Sequence, residues 1–177
     1  MDTSSTIWVF TLALALSAAW ADWRTHRIPN WLTVPGLIVG IAVRTTIGGW
    51  PGSKASLEGA SLALGLILPL VLLRALGAGD WKFVGAVGAF LGPKLLLVVL
   101  LVSFFVAGLM GVVQMMRAHR VVATLKNMWA LTKGFFTFGL RVHPEISLDN
   151  PGLLKLPFGV AVAMAVLICY LAGRPYL

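Results

Sequence analysis

Gly77-Ala78-Gly79-Asp80-Trp81-Lys82 separates two apolar runs, 57–76 and 83–91. A carboxylate at such a border is costly to hold near hydrocarbon, and in membrane proteins an ionisable residue so placed commonly marks a functional site. One other acidic residue has a comparable position: Asp22, at the end of the first apolar run, 5–21. This pair sets the expectation for the whole chain. Helices deliver Asp22 and Asp80 to one face of a bilayer, where they form a single site, and the remaining residues are scaffold.

Composition agrees with a bilayer as the solvent. Of the 177 residues, 59% are hydrophobic and 11% charged, where a soluble domain carries roughly 25% charged residues. The length suits one domain, 1–177. The net charge of +8 is assigned to cytoplasmic loops and anionic headgroups, not to nucleic acid. Cys169 is the only cysteine, so no internal disulfide forms and no cysteine pair holds zinc. An inert, buried thiol is expected there.

Taken outward from the central motif, the apolar runs predict an all-α polytopic fold of about six transmembrane helices. The run 5–21 is read as a retained helix and not a cleaved signal, because Met1–Thr6 carries no Lys or Arg. Arg24, His26 and Arg27 follow it and place that end in the cytoplasm, with the N-terminus outside. Pro29-Asn30 opens a second run, 31–47, which Pro35 is expected to bend and whose Arg44 is expected to snorkel to the surface. Gly48-Gly49-Trp50-Pro51-Gly52 reads as an outer loop.

The run 57–76 is long enough to span, with Gly59, Ala60, Ala63 and Gly65 as small faces for close helix contact. The run 83–92 is short, about 15 Å of helix. It is read as crossing because otherwise the most basic loop, after the span 95–116, would lie outside. Gly85 and Gly88 are expected to pack tightly. Within that loop, 117–152, Val121, Val122, Leu125, Met128 and Trp129 recur at helical spacing and suggest a helix on the inner surface; a plain solvated loop fits nearly as well. The last run, 153–172, returns outward. Trp20, Trp23, Trp31 and Trp81 then line the inner interface, and Trp8 and Trp50 the outer one.

Of the acidic residues, only Asp22 and Asp80 share depth and side in this topology. Two close carboxylates do not both ionise easily, so such a pair holds one proton over a useful pH range. The charged member takes a proton from water while the neutral member polarises a carbonyl, which is peptide hydrolysis of the aspartic-protease kind. Gly77 and Gly79 would supply unusual backbone angles and close approach of a substrate strand. Taken singly, each motif has a plainer explanation: Asp80 caps a helix, and Asp22 pairs with Arg24 or Arg27. Other hydrolase chemistries find no residues. There is no His-Glu-x-x-His and no Gly-x-Ser-x-Gly, and His26, His119 and His143 fall in cytoplasmic segments. No metal and no cofactor is expected. The competing class is a non-catalytic membrane component, a small transporter or an assembly subunit. A transporter would more often place its ionisable groups near mid-bilayer.

Asp22-Trp23-Arg24-Thr25-His26-Arg27-Ile28-Pro29-Asn30 resembles the first-aspartate segment of the type IV prepilin peptidases, in which an Asp precedes a basic stretch ending in Ile-Pro-Asn. Gly77-Ala78-Gly79-Asp80-Trp81-Lys82-Phe83 is similar to their second motif, Gly-x-Gly-Asp-x-Lys. Leu156-Pro157-Phe158-Gly159 resembles the segment that opens their last helix, with Val160 where proline is frequent. The resemblance implies an aspartic endopeptidase of the bacterial inner membrane, with Asp22 and Asp80 as the catalytic pair. Gly77, Gly79, Lys82, Pro29 and Asn30 would be its supporting motif. Its partners would be membrane lipid and the prepilin or pseudopilin whose short basic leader it removes at the cytoplasmic face. Longer members add a zinc-binding domain with paired cysteines and methylate the new N-terminus. This chain resembles the short branch that serves Flp-type tight-adherence pili, without that domain.

Overall fold

A computed structural model describes residues 3–118 and 156–173 of the chain. Four helices account for nearly all of these residues: α1 (Thr3–Thr25), α2 (Asn30–Leu72), α3 (Ala78–Arg117) and α4 (Phe158–Leu171). Helix α1, from Ser5 on, together with α2 and α3, is long and apolar enough to cross a membrane; α4 is apolar but has only 14 residues. The inner-surface helix expected over 121–129, His119, His143 and Arg174 lie outside the described residues.

Helices α2 and α3 have 43 and 40 residues, roughly 60 Å each if straight and twice the ~30 Å of hydrocarbon. Neither is straight. Gly49 (φ 59°, ψ −143°) and Gly92 (φ 76°, ψ 175°) leave the helical conformation for backbone angles that side chains with a β-carbon rarely adopt. Pro51 and Pro93 follow closely, in the first turn of the next segment, where a missing N–H costs nothing.

Contacts show that the chain doubles back at both glycines. A β-carbon on Gly52 would run into the carbonyl oxygen of Arg44, yet eight residues along a straight helix are about 12 Å apart. Along the first half of α2, Gly36, Gly40 and Arg44 meet Ala86, Ala89 and Phe90–Leu91 in rising order, so the first halves of α2 and α3 are parallel. Along the second half, Ala55, Gly59 and Leu64 meet Gly92, Gly88 and Gly85 in falling order, so those segments are antiparallel. The second half of α3 returns alongside α4, with the Phe104 and Phe158 rings 5.7 Å apart and Gly111 facing Leu156. Helix α4 then runs back along α1, ending with Tyr170 against Trp8, 5.8 Å between rings. Among the described residues, six helical segments therefore alternate in direction, two pairs of them joined at one end by the glycine breaks.

Every residue from Phe83 to Gly92 is buried. The short run is thus the central rod of the bundle, and its length does not have to match hydrocarbon because protein surrounds it. Gly85 packs on Leu64, and Gly88 comes so close to Gly59 that a β-carbon would lie 2.5 Å from the Gly59 carbonyl oxygen. Close backbone approach of this kind replaces the hydrophobic effect as the source of helix association in lipid. Outside, large apolar side chains such as Leu16, Leu101, Phe105 and Leu171 are exposed, an extent of apolar surface that suits lipid and not water.

Several expectations change in detail. Among the described residues nothing packs against Gly65, because it lies on the opposite side of α2 from the Gly59–Ala63 stripe. Pro35 keeps helical dihedrals, and the outer loop at 48–52 contracts to the single break at Gly49. Trp8 is fully buried against Tyr170. Arg44 does not snorkel: its Nε donates to the Phe90 carbonyl at 2.8 Å and its Nη2 to that of Leu91. Those carbonyls end the first half of α3, where the break at Gly92 leaves them without helical donors, and a guanidinium there also suits the negative end of the helix dipole.

Candidate active site

At the end of the bundle opposite the two glycine breaks, three short stretches converge. Helix α1 stops at Thr25 because His26 turns to positive φ (50°), its N–H donating to the Asp22 carbonyl at 2.8 Å. The chain then extends through Ile28 to Pro29, the N-cap of α2 (φ −74°, ψ 147°). Asp22 therefore sits in the last turn of α1, and it is only 4% exposed.

A buried carboxylate needs a donor. That of Asp22 comes from α4: Oδ2 accepts the Gly159 N–H at 2.8 Å. This is a first-turn amide, which lacks an intrahelical partner and belongs to the positive end of the helix. Leu156-Pro157-Phe158-Gly159 thus builds a cradle for the first aspartate. A β-carbon on Gly159 would lie 2.9 Å from the same Oδ2 and 2.9 Å from Cδ1 of Ile28. The plainer pairing of Asp22 with Arg24 is not found; the Arg24 guanidinium lies over the Trp20 ring, 4.4 Å from its centroid.

Asp80 is the third residue of α3, and its Oδ2 accepts the N–H of the N-cap Gly77 at 3.3 Å. It does cap a helix, as the plainer explanation held, and its neighbour Gly79 packs on Ile28, which in turn touches Gly159 beside Asp22, so both aspartates lie at the same end of the bundle. Both aspartates are therefore held by helix N-terminal amides, one on its own helix and one on a helix far along the chain.

The glycines work differently from expectation. Gly77 has an ordinary extended backbone (φ −75°, ψ 149°), and Gly79 lies within helix α3. The close approach at Gly79 is to the protein's own chain: a β-carbon there would lie 2.7 Å from the Ile28 carbonyl oxygen. Lys82 donates from Nζ to Oδ1 of Asn30 at 2.9 Å, which ties the second motif to the first. Trp81 donates from its indole to the Leu64 carbonyl at 2.8 Å and is half-buried, so it braces the helix against α2.

Ile28 and Gly159 are the site residues that sequence reasoning left without a role. Ile28 is buried between the Gly79 backbone and Gly159. Its only sequence signal was membership of an Ile-Pro-Asn triplet, and nothing local announces a contact with residue 159. Among the described residues, no group of three or more His, Cys, Asp or Glu side chains gathers as a metal site would require. The chemistry on offer is that of two neighbouring carboxylates with fixed orientation, suited to general acid–base work on a carbonyl and a water.

Comparison with protein-family models matches residues 9–112 to the type IV leader peptidase family. The match includes both aspartate motifs. Neither the curated proteins nor the solved structures contain a significant match. Since the family match covers more than half of the chain, and the helices that carry the site are apolar enough to cross a bilayer, the chain is a membrane protein that belongs to the type IV leader peptidase family.

Proposed function

We propose that the chain is a membrane aspartic endopeptidase that removes the short basic leader from prepilins or pseudopilins at the cytoplasmic face of the bacterial inner membrane. The observation that carries this reading is the convergence of the segments that bear Asp22 and Asp80 at one end of the bundle, through Ile28, with each carboxylate oriented by a backbone amide. The six alternating helical segments cross the membrane six times with the N-terminus outside. In support, Arg24, Arg27, Arg74, Lys82 and Arg117 belong to the aspartate end, and Arg44, Lys54 and Lys94 to the other, the asymmetry expected of cytoplasmic and outer faces.

The substrate lies with its apolar helix in lipid and its leader in the cytoplasm, so the scissile bond reaches the aspartates at the surface. One aspartate, ionised, takes a proton from water as the oxygen attacks the carbonyl carbon. The other, protonated, donates a hydrogen bond to the carbonyl oxygen. Collapse of the tetrahedral intermediate breaks the C–N bond, and the proton passes to the departing amine. Leader carboxylate and pilin N-terminus are the products. No methyl transfer is assigned to this chain.

Co-expression with a candidate prepilin, followed by a gel shift for leader loss, tests the proposal. Asp22→Asn and Asp80→Asn each abolish cleavage and leave membrane insertion intact. Full processing by either variant would refute the pair.

A further inference from the structure

The hydrogen bond between Lys82 Nζ and Asn30 Oδ1, 2.9 Å long, joins the first turns of α2 and α3. Asn30 opens α2 directly after Ile28-Pro29, and Lys82 lies two residues beyond Asp80. A second contact joins the same stretches: the Gly79 backbone presses against the Ile28 carbonyl so closely that a β-carbon would not fit. Ile28 in turn touches Gly159, whose N–H holds Asp22. The connection is thus continuous: Asp80, the first turn of α3, Ile28 and Asn30, the first turn of α4, Asp22. Close packing at Gly79 limits how near α3 approaches the Ile28 strand. Trp81 braces the same stretch against α2; on the Ile28 side, packing alone does little to stop α3 from turning about its axis or withdrawing. A polar tie from Lys82 to Asn30 opposes both movements.

We infer that Asn30 and Lys82 act as one positioning pair, which sets the azimuth and height of the first turn of α3 and so the distance between Asp80 and Asp22. The inference rests on the peptidase reading for its catalytic consequence, and on the fold alone for its geometric one. Lys82 acts here through its bond to Asn30, not as a free positive charge beside the carboxylates or as a headgroup anchor. The two residues meet at a partly exposed position, where a single bond stabilises the fold little but a displacement of the carboxylate matters greatly. A misplacement of about 1 Å in a catalytic group costs on the order of 100-fold in rate.

A double-mutant cycle distinguishes these possibilities. Full-length enzyme in membranes is assayed for leader cleavage as wild type, Asn30→Ala, Lys82→Met and the double variant. If the pair acts as a unit, each single variant lowers kcat by about 10- to 100-fold with KM little changed, and the double variant is no worse than either. Asn30→Asp, which keeps an acceptor for Lys82, restores most of the rate. A silent Asn30→Ala beside a defective Lys82→Met overturns the inference, because Lys82 would then act by its charge alone; so do additive losses.

A second measurement does not depend on activity. In Cys169→Ser protein carrying Asp22→Cys and Asp80→Cys, the rate of linkage by a short bifunctional thiol reagent reports the separation of the two positions. Asn30→Ala and Lys82→Met should each slow that linkage. An unchanged rate in both overturns the positioning role even if the peptidase reading stands. Slowed linkage in a protein whose parent cleaves no prepilin would uphold the positioning and refute the peptidase reading.

Discussion

The Oδ2 atom of Asp22 accepts a hydrogen bond from the backbone N–H of Gly159 at 2.8 Å, across 137 positions of sequence. The carboxylate at the end of α1 is thus held by the beginning of α4, and α4 is as much a part of the candidate site as the two helices that carry the aspartates.

Gly159→Ala tests that relationship. The new methyl would lie 2.9 Å from both the Asp22 carboxylate and Cδ1 of Ile28. Overpacking of this order costs about 1–3 kcal/mol, and the aspartate side chain is the softer neighbour. Leader cleavage falls at least about tenfold, the effect of a catalytic group displaced by a fraction of an ångström, while the protein still inserts. Adding Ile28→Val removes one of the two obstacles and recovers part of the rate, measured as initial rates at matched membrane levels.

Gly79→Ala sets a β-carbon against a carbonyl oxygen of the backbone, 2.7 Å away. Backbone yields less than a side chain, so α3 must move away from Ile28. Both stability and activity fall, the former by about 1–3 kcal/mol. Thermal unfolding in detergent, run beside the cleavage assay, separates the two losses.

Gly88 and Gly65 give opposite signs for the same substitution. Gly88 abuts the Gly59 carbonyl in the centre of the bundle, whereas a β-carbon on Gly65 would meet nothing within 4 Å among the described residues. Gly88→Ala lowers the unfolding temperature and reduces the yield of monodisperse protein. Gly65→Ala leaves both unchanged or raises stability by up to about 1 kcal/mol through helix propensity.

Arg44 is expected to matter for stability far from the aspartates. Arg44→Ala leaves the carbonyls of Phe90 and Leu91 without their guanidinium donors, and hydrogen bonds to charged groups contribute about 1.5–3 kcal/mol. A large drop in unfolding temperature follows. Arg44→Lys recovers only part of it, because an ammonium does not reproduce the two-pronged fit of a guanidinium. Equal stability of all three proteins would show that the cap contributes nothing.

Much of this molecule could be read from residue order. Apolar run lengths marked the helical segments, and the Gly- and Pro-rich stretch 48–52 marked a place where the chain turns, although the structure reduces that loop to a single break at Gly49. The two aspartates stood out because a carboxylate beside an apolar run needs a reason to be there. What sequence misassigned were relationships between segments. Arg44 looked like a snorkelling cation because its partners, two carbonyls, exist only once α3 breaks at Gly92. Trp8 looked like an interface residue because hydropathy does not distinguish lipid from protein as the neighbour of an apolar helix.

Residue order therefore determined the helical segments and drew attention to Asp22 and Asp80, both of which follow from local dihedral preference and from the transfer of side chains out of water. Tertiary structure alone decided that α4 holds Asp22, that Ile28 sits between Gly79 and Gly159, and that Lys82 reaches Asn30. Each of these is a contact between helix ends far apart in the chain. In a bilayer, where every helix is apolar all round, the match of small residues and polar atoms across helices selects such contacts, and no periodicity within one helix encodes them.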